Sequence, residues 1–466
     1  MQKNTCLTVG LILAGCGYSG AVNAETLMEA LASAYTSNPT LESQRAHLRA
    51  VDEQVPQALA NWRPTVKLAG SLTRTNTYAK APTSTVYGTE VLASDTRASS
   101  KAASLTVDQP LYRGGRTVAQ IKQAEAQVAA ARAQLANTEE TVLVNVVSAY
   151  MNVVQYRAVR ELSINDEQVL QRQLDATNDR FRVGEVTRTD VSQAESRLSA
   201  AHADRTQAEG NLRAAEANYV NVVGHAPDGL VSPGPVPGLP TSIDQAREMA
   251  LAENPSVVSS QHSYRAAQHG IDLVAGELQP TVSLDGQVTR NYDYDGPKTY
   301  ERIYQAGLNV TVPLYQQGQE YARLRAQKQT AGQARTDVDV ARRDTIESVT
   351  KAWEALETAR ARISSYSDQI RSAQVALDGV QRESQVGSRT VLDVLNAEQE
   401  LLNARVNLVE AQHDEAVAAY QLKSTIGQMT AQALALPVQV YDPVKHYDEV
   451  RDKWVGTGEV PADGHE

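Results

Sequence analysis

Two long stretches of the chain have the hydrophobic spacing of closely packed helices. No proline and little glycine occur between residues 110 and 227, or again between 313 and 437. In the first stretch an apolar residue recurs every seven positions, at Ile121, Val128, Leu135 and Val142. This heptad spacing predicts coiled-coil packing. The helices expected from such patterns span about 26–62, 115–183, 187–223, 242–277, 316–386 and 390–426.

Four shorter segments alternate between apolar and polar residues. They cover about 65–75 and 101–110 in the first half of the chain, and about 281–292 and 302–312 in the second. Strands of about ten residues with one apolar and one polar face are typical of membrane-spanning barrels with a wet lumen. The same pattern also fits two ordinary half-buried hairpins.

The two halves of the chain are an internal duplication. Asn38-Pro39 recurs as Asn254-Pro255 with an offset of 216, and Pro110-Leu-Tyr112 recurs as Pro313-Leu-Tyr315 with an offset of 203. The second offset also holds for Gly184/Gly387, Asp190/Asp393, Glu195/Glu398, Leu198/Leu401 and Gly224/Gly427. The change of offset predicts a longer loop between the strands of the first half. We expect one repeat over 25–227, a second over 228–427 and a C-terminal tail over 428–466.

Tyrosines mark both ends of the predicted strands. Tyr112 and Tyr315 follow the prolines at one end, and tyrosines 78, 87, 292, 294, 300 and 304 lie near the loops at the other. Two aromatic belts are typical of a membrane slab and favour the barrel. Four strands cannot close a barrel around a channel, so three protomers would supply 12 strands. A helix of about 67 residues spans roughly 100 Å, which is enough for a periplasmic tunnel.

Composition and charge narrow the class of function. Aromatic residues make up only 5% of the chain, which suits long, closely packed helices. The formal net charge of −11 argues against nucleic-acid binding. The eight histidines show no metal-binding spacing and no nucleophile–base constellation is evident, so we expect no metal, no cofactor and no enzymatic activity. Carboxylate pairs such as Glu139-Glu140 are expected on solvated helix faces.

The first 24 residues have the form of a secretory signal peptide. An apolar segment over 7–15 precedes the small-residue cleavage site Val22-Asn23-Ala24. Leu13-Ala14-Gly15-Cys16 also has the form of a lipobox, in which Cys16 would carry lipid. Both routes export the chain and both stay open. Cys6 and Cys16 are the only cysteines, and no later stretch has the roughly 20 apolar residues of a spanning helix.

These features resemble the TolC-type outer-membrane factor family. The resemblance covers about 25–430 and rests on the paired Pro-Leu-Tyr segments, the Val-Gly turns at 183–184 and 386–387, and the run from Leu392 to Leu401. It implies a mixed α and β membrane protein, namely a trimeric 12-stranded β-barrel with four strands per protomer, continued by a long α-helical periplasmic barrel.

The resemblance also implies a location and a set of partners. The location is the outer membrane of a Gram-negative bacterium, with the tunnel extending into the periplasm for type I secretion, multidrug efflux or both. The implied partners are two further copies in a homotrimer, outer-membrane lipid, a periplasmic adaptor and, through it, an inner-membrane transporter of ABC or RND type.

A gate at the helix-hairpin tips is a further implication of the resemblance. By motif, Asp190 and Arg389 occupy the positions of an ion pair between neighbouring helix pairs, and Asp393 would form an acidic ring. Asn396 stands where relatives often have a second Asp, and Ser384 stands where a tyrosine commonly assists. We therefore expect weaker cation binding and a lock that rests on Arg389. A solvated charged tip is the plainer alternative.

The turns at the tips are candidates for contact with the adaptor. They comprise Val183, Gly184 and Glu185 in the first repeat, and Val386, Gly387 and Ser388 in the second. Glycine permits a tight reversal and close approach of another backbone. A purely structural turn would use the same residues. The resemblance implies an equatorial belt built from the inter-repeat segment and the C-terminal tail over 428–466. The polar part of that tail, from Asp442 to Glu466, is expected to be peripheral or partly disordered.

Two other functions compete with an export channel. A periplasmic adaptor or other coiled-coil structural protein predicts one helical hairpin flanked by compact β-domains, not a duplicated unit. An exported enzyme is the second alternative.

Overall fold

The structure, a computed structural model, describes residues 25–294 and 298–458. The predicted signal peptide over 1–24, with Cys16, lies outside the described residues, as does the end of the predicted tail. The helices are α1 Leu27–Ser37, α2 Pro39–Asp52, α3 Gln54–Leu59, α4 Arg116–Arg182, α5 Arg188–Val223, α6 Ile243–Glu253, α7 Pro255–Ala275, α8 Gln319–Gln385, α9 Val391–Thr425 and α10 Lys445–Val450. The strands are β1 Thr65–Thr85, β2 Gly88–Arg113, β3 Thr281–Tyr292 and β4 Tyr300–Thr311.

The two longest helices have the same number of residues and begin in the same way. Both α4 and α8 have 67 residues, and each begins after a glycine in the left-handed conformation, Gly115 and Gly318. Small and branched residues of the heptad pattern are buried along α4, among them Ala124, Val128 and Ala131. Helices α5 and α9 return antiparallel along α4 and α8, so each repeat ends in a long helical hairpin.

The helices expected over 26–62 and 242–277 are each broken, which corrects that prediction. Asn38 ends α1 and caps α2, and Asn254 ends α6 and caps α7. In α2 the Asn38 side-chain oxygen accepts a hydrogen bond of 2.9 Å from the Thr40 N–H. The following proline has no N–H with which to continue the preceding helix, so the helix stops and starts again.

The strands form one antiparallel sheet in the order β1-β2-β3-β4. The first hairpin is much longer than expected: pairing runs without interruption from Thr65–Asp108 to Thr85–Gly88. The residues assigned to a long loop are therefore strand. Small polar residues alternate through them, so the pattern lacks the strong apolar face used to recognise a strand. A bulge lies between Pro110 and Tyr112, where proline cannot donate to β3.

The main hydrophobic core lies midway along the long helices. It joins α1, residues 142–153 of α4, the end of α5 and the segment after α9. In that segment Met429 and Ala431 are fully buried. The first part of the predicted tail therefore belongs to this core. Val450 is also buried, which corrects the expectation that the part after Asp442 is peripheral.

Glu139 and Glu140 hold this segment in place, and they are not on a solvated helix face as expected. The carboxylate of Glu139 accepts a hydrogen bond of 2.6 Å from the Ala431 N–H, and that of Glu140 accepts one of 3.4 Å from the Met429 N–H. Desolvation, reinforced by the neighbouring Glu139, raises the pKa of Glu140 to about 8. The two side chains accept hydrogen bonds from backbone N–H groups that would otherwise be buried without a partner.

None of the described helices is both long enough and apolar enough to cross a membrane. Among the same residues, no group of three or more His, Cys, Asp or Glu side chains is placed to hold a metal ion.

Candidate gate and docking tips

The two hairpin tips have the same backbone. In the first, the Gly184 N–H donates to the Phe181 carbonyl and the Glu185 N–H donates to the Arg180 carbonyl. The second tip repeats these bonds at Gly387 and Ser388. Both glycines have positive φ, +83° and +79°, so each closes its helix with a left-handed residue. The valines before them project outward, with Val183 72% and Val386 80% exposed.

Asp190 and Asp393 both belong to capping boxes just after the tips. Each carboxylate accepts bonds from the backbone N–H and the hydroxyl of the threonine three residues earlier, Thr187 and Thr390. The bonds from Thr390 lower the pKa of Asp393, so its carboxyl is ionised at neutral pH. Asp190 and Asp393 therefore help to cap the N-termini of α5 and α9, a role that the sequence analysis did not assign to them.

Arg389 is bound within its own hairpin. Its Nε donates to Glu383 Oε2 over 2.9 Å, and this bond raises the pKa of the guanidinium. Within the described part of one protomer, Asp190 has no ion pair and is engaged by Thr187 instead. The structure thus does not bring Asp190 and Arg389 together in one chain. The predicted lock between neighbouring helix pairs therefore requires the helix pair of a neighbouring protomer.

Asn396 joins the two hairpins of the protomer. Its side-chain oxygen accepts a hydrogen bond of 2.8 Å from Arg197 Nη2 on α5. Arg197 was not among the predicted site residues, because a single arginine on a long polar helix has no distinguishing signal in the sequence. Ser384, at the position of the missing tyrosine, is buried under the turn.

Apolar residues close the space between the hairpins just beyond the tips. Leu170 and Ala201 of the first hairpin pack with Val391 and Leu395 of the second, beside Val186. The tips of one protomer therefore form a single packed unit rather than two independent ends.

A cavity with two carboxyl groups lies further along the same contact. It has a volume of about 210 Å³ and is lined by residues of α4, α8 and α9, including Asp166, Glu398 and Arg405. Burial, and then the nearby Asp204 of α5, raise the pKa of Asp166 to about 6. Burial also raises the pKa of Glu398, whose Oε1 accepts from Gln381 while Oε2 has no partner. The sequence analysis missed both groups.

The family model for outer membrane efflux proteins matches residues 30–225 and 246–428, one segment in each repeat. The chain belongs to this family. It is 36% identical over 452 residues to the outer membrane efflux protein BepC of Brucella suis, covering 97% of this chain and 96% of the relative. It is 26% identical over 451 residues to the outer membrane protein TolC of Escherichia coli, covering 93% and 88%.

The fold matches that of the Campylobacter jejuni CmeC outer membrane channel, with a TM-score of 0.77 over 92% of this chain and 90% of that chain, at 17% identity. The predicted fold class is confirmed: four strands per protomer of a trimeric 12-stranded barrel, continued by a helical tunnel into the periplasm. This efflux-family chain is an outer-membrane channel for export and not an enzyme, and the adaptor alternative is not favoured.

Proposed function

We propose that this channel is shut at its tips by Arg389 and Asp190 of neighbouring protomers, and that the tips dock onto a periplasmic adaptor. Through the adaptor the tunnel is coupled to an inner-membrane transporter of ABC or RND type, which supplies the energy. Outer-membrane lipid surrounds the barrel, and nucleic acid is not a partner. The relative BepC carries the name of an efflux protein, which supports an export role of this kind.

The observation that supports the gate is that Arg389 lies at the hairpin tip with its guanidinium on a half-exposed carboxylate, which a neighbour's Asp190 could replace. Arg389 is half-exposed on the tip and bonded to Glu383, which is itself half-exposed. Exchange of one exposed carboxylate for another has a small barrier, because neither charge must leave water to do so. In the shut trimer Arg389 bonds the neighbour's Asp190, and in the open state it returns to Glu383. The Asp393 carboxylates form an acidic ring beside it and favour cations there.

The gate is tested by the conductance of the purified trimer in planar bilayers. We expect low conductance for the natural channel and at least a several-fold rise for Arg389→Ser and Asp190→Asn, because each removes one charge of the lock. Asparagine at 190 keeps an oxygen for the cap bonds to Thr187. Glu383→Gln should leave the channel shut, since it releases Arg389 toward Asp190.

Arg371→Ser is the matched control, because Arg371 is an exposed arginine of α8 that pairs with Asp368 of the same helix. It should conduct like the natural channel. If Glu383→Gln opens the channel while Asp190→Asn does not, Glu383 is the partner that holds the gate. If Arg389→Ser conducts no more than the natural protein, the lock is absent although the channel stands.

A further inference from the structure

The segment after the core runs along α4 toward the sheet, and its residues 437–455 are called the C-terminal arm. Just before the arm, Met429 bonds Glu140. Along the arm, the guanidinium of Arg132 lies 5.1 Å from the ring centroid of Tyr447, and Arg451 Nη2 lies 3.7 Å from Glu125 Oε1. The partners on α4 come steadily closer to its first residue, so the arm runs antiparallel to α4. The rise from residue 140 to residue 125 is roughly 22 Å.

The end of the arm is fixed where the helices meet the sheet. Arg63, two residues before β1, donates from Nη1 to the Lys453 carbonyl over 2.8 Å. Its guanidinium also lies 4.7 Å from the centroid of the Trp454 ring. Even so, Trp454 is 66% exposed and Val455 is 86% exposed. The structure thus holds the Trp454 ring in place and leaves most of its surface uncovered, together with that of the neighbouring Val455.

Other aromatic and apolar side chains lie at the same end of the sheet. Trp62 precedes Arg63 and is 39% exposed, and its carbonyl accepts a hydrogen bond of 2.9 Å from Gln109 of β2. Tyr112 and Tyr315, the tyrosines of the predicted belt, are exposed at the ends of β2 and β4 together with their neighbours Leu111 and Leu314. Two of the three tryptophans of the chain therefore lie at the end of the sheet that adjoins the helices. Tryptophan and tyrosine favour a membrane interface because an apolar ring can enter lipid while its polar edge stays hydrated.

We propose that the C-terminal arm is an interfacial anchor on the inner leaflet of the outer membrane. Trp454 and Val455 enter the head-group region of the phospholipid, and the exposed Lys453 beside them faces the phosphates. The anchor extends the belt of Tyr112 and Tyr315 outward from the barrel. It fastens the arm, and through Glu139 and Glu140 the core segment, to the membrane surface. This inference rests on the outer-membrane location of the family and is independent of the gate.

Tryptophan quenching by brominated lipid tests the anchor in the full-length trimer. The variant Trp62→Phe/Trp353→Phe retains only Trp454. In vesicles of phosphatidylcholine brominated near the glycerol end of its acyl chains, we expect a clear loss of Trp454 emission relative to unbrominated vesicles. The matched control Trp62→Phe/Trp454→Phe retains only Trp353, which lies 34 residues into α8, roughly 51 Å from the sheet. Its emission should be the same in both lipids.

A third variant, Trp353→Phe/Trp454→Phe, retains only Trp62 and reports on the barrel end itself. Quenching of Trp62 without quenching of Trp454 overturns the proposal, because the arm then lies on solvent or on a second protomer. Quenching of neither also overturns it and moves the membrane boundary away from Arg63. If a double variant does not assemble, the quenched emission of the natural protein minus that of Trp454→Phe gives the same quantity.

Discussion

Val183 and Val386 are held outward by backbone bonds that do not depend on their side chains. Each tip turn is closed by bonds to the glycine and to the residue after it. Nothing lies within 4 Å of where a Cβ would stand on Gly184 or Gly387. A partner could therefore reach both the apolar side chain and the backbone at each tip. This is the physical basis for treating the tips as docking points.

We expect Val183→Ser and Val386→Ser each to weaken capture of the adaptor by the channel. Burial of a valine stabilises a contact by about 1.5 kcal/mol or more, so each substitution should lower affinity about tenfold. Co-purification of the adaptor with the detergent-solubilised trimer measures this. Val340→Ser, at a half-exposed valine on the body of α8, should leave capture unchanged. Normal capture by both tip variants would assign the turns a purely structural role.

At the residue scale the sequence shows which charges are at the tip, but not which of them bond. Motif position placed Asp190, Arg389 and Asp393 at the hairpin ends, where the structure has them. The bond from Arg389 to Glu383 depends on side-chain rotamers across a turn, which no pattern encodes. Glu139 and Glu140 were assigned to solvent for a related reason. Their partners are N–H groups almost 300 residues away, and only the folded chain brings these groups together.

The contact between the two hairpins of a protomer contains a carboxyl group, that of Asp166, whose titration makes the stability of the contact depend on pH. Burial beside Asp204 of α5 raises the pKa of Asp166, and the charges of Glu398 and Arg405 on α9 and of Arg172 on α4 also lie near this point. The folded state therefore binds the Asp166 proton more tightly than the unfolded state does. Stability contributed here is lost as pH rises from about 4, the ordinary pKa of aspartate, to about 6, the raised value.

We expect Asp166→Asn to raise the melting temperature of the trimer at pH 7, because it removes a poorly solvated charge. The gain over the natural protein should shrink as the pH falls from 6 to 4. Glu167→Gln is the control with the opposite sign, since hydrogen bonds from Arg205 and His202 lower the pKa of Glu167. That variant should be less stable than the natural protein at pH 7. A gain for Asp166→Asn that does not vary with pH would rule out titration as its cause.

At the element scale the duplicated helices were predictable because their signals are local. The heptad spacing, the absence of proline and the tip glycines place α4, α5, α8 and α9 within a few residues of their observed ends. The breaks at Asn38 and Asn254 are signalled by the Asn-Pro pairs, in which asparagine caps a helix that begins at the proline. The length of the first hairpin was not predictable in this way. Its small polar residues give no clear apolar face, and their pairing depends on the partner strand.

At the scale of the whole molecule, the position of Glu25 bears on how the leader is processed, by cleavage after Ala24 or by lipidation of Cys16. The Tyr150 hydroxyl donates to the Glu25 carbonyl, and the Tyr219 hydroxyl donates to the Glu25 carboxylate, each over 2.8 Å. Tyr150 lies 34 residues into α4, roughly 51 Å from the barrel. Nine residues from Cys16 to Glu25 span at most roughly 32 Å when fully extended. A lipid on Cys16 would therefore not reach the outer membrane while Glu25 is bound in the core.

We accordingly expect cleavage after Ala24. Mass spectrometry of the purified channel should give a polypeptide that begins at Glu25 without lipid. Cys16→Ser should reach the outer membrane in the same amount as the natural protein. A diacylated Cys16 in the mature trimer would contradict this expectation and require Glu25 to leave its tyrosine partners.

The central core is assembled from distant parts of the chain, and this affects when it can form during secretion. Its members come from the first helix after the leader, from the middle of the chain and from residues 429–436. Leu27 and Leu436 belong to the same core although about 400 residues separate them, so this core is complete only after nearly the whole chain has crossed the inner membrane. Until then the apolar side chains that residues 429–436 cover remain exposed. A chain cut short before residue 429 would therefore lack this part of the core and leave those side chains exposed.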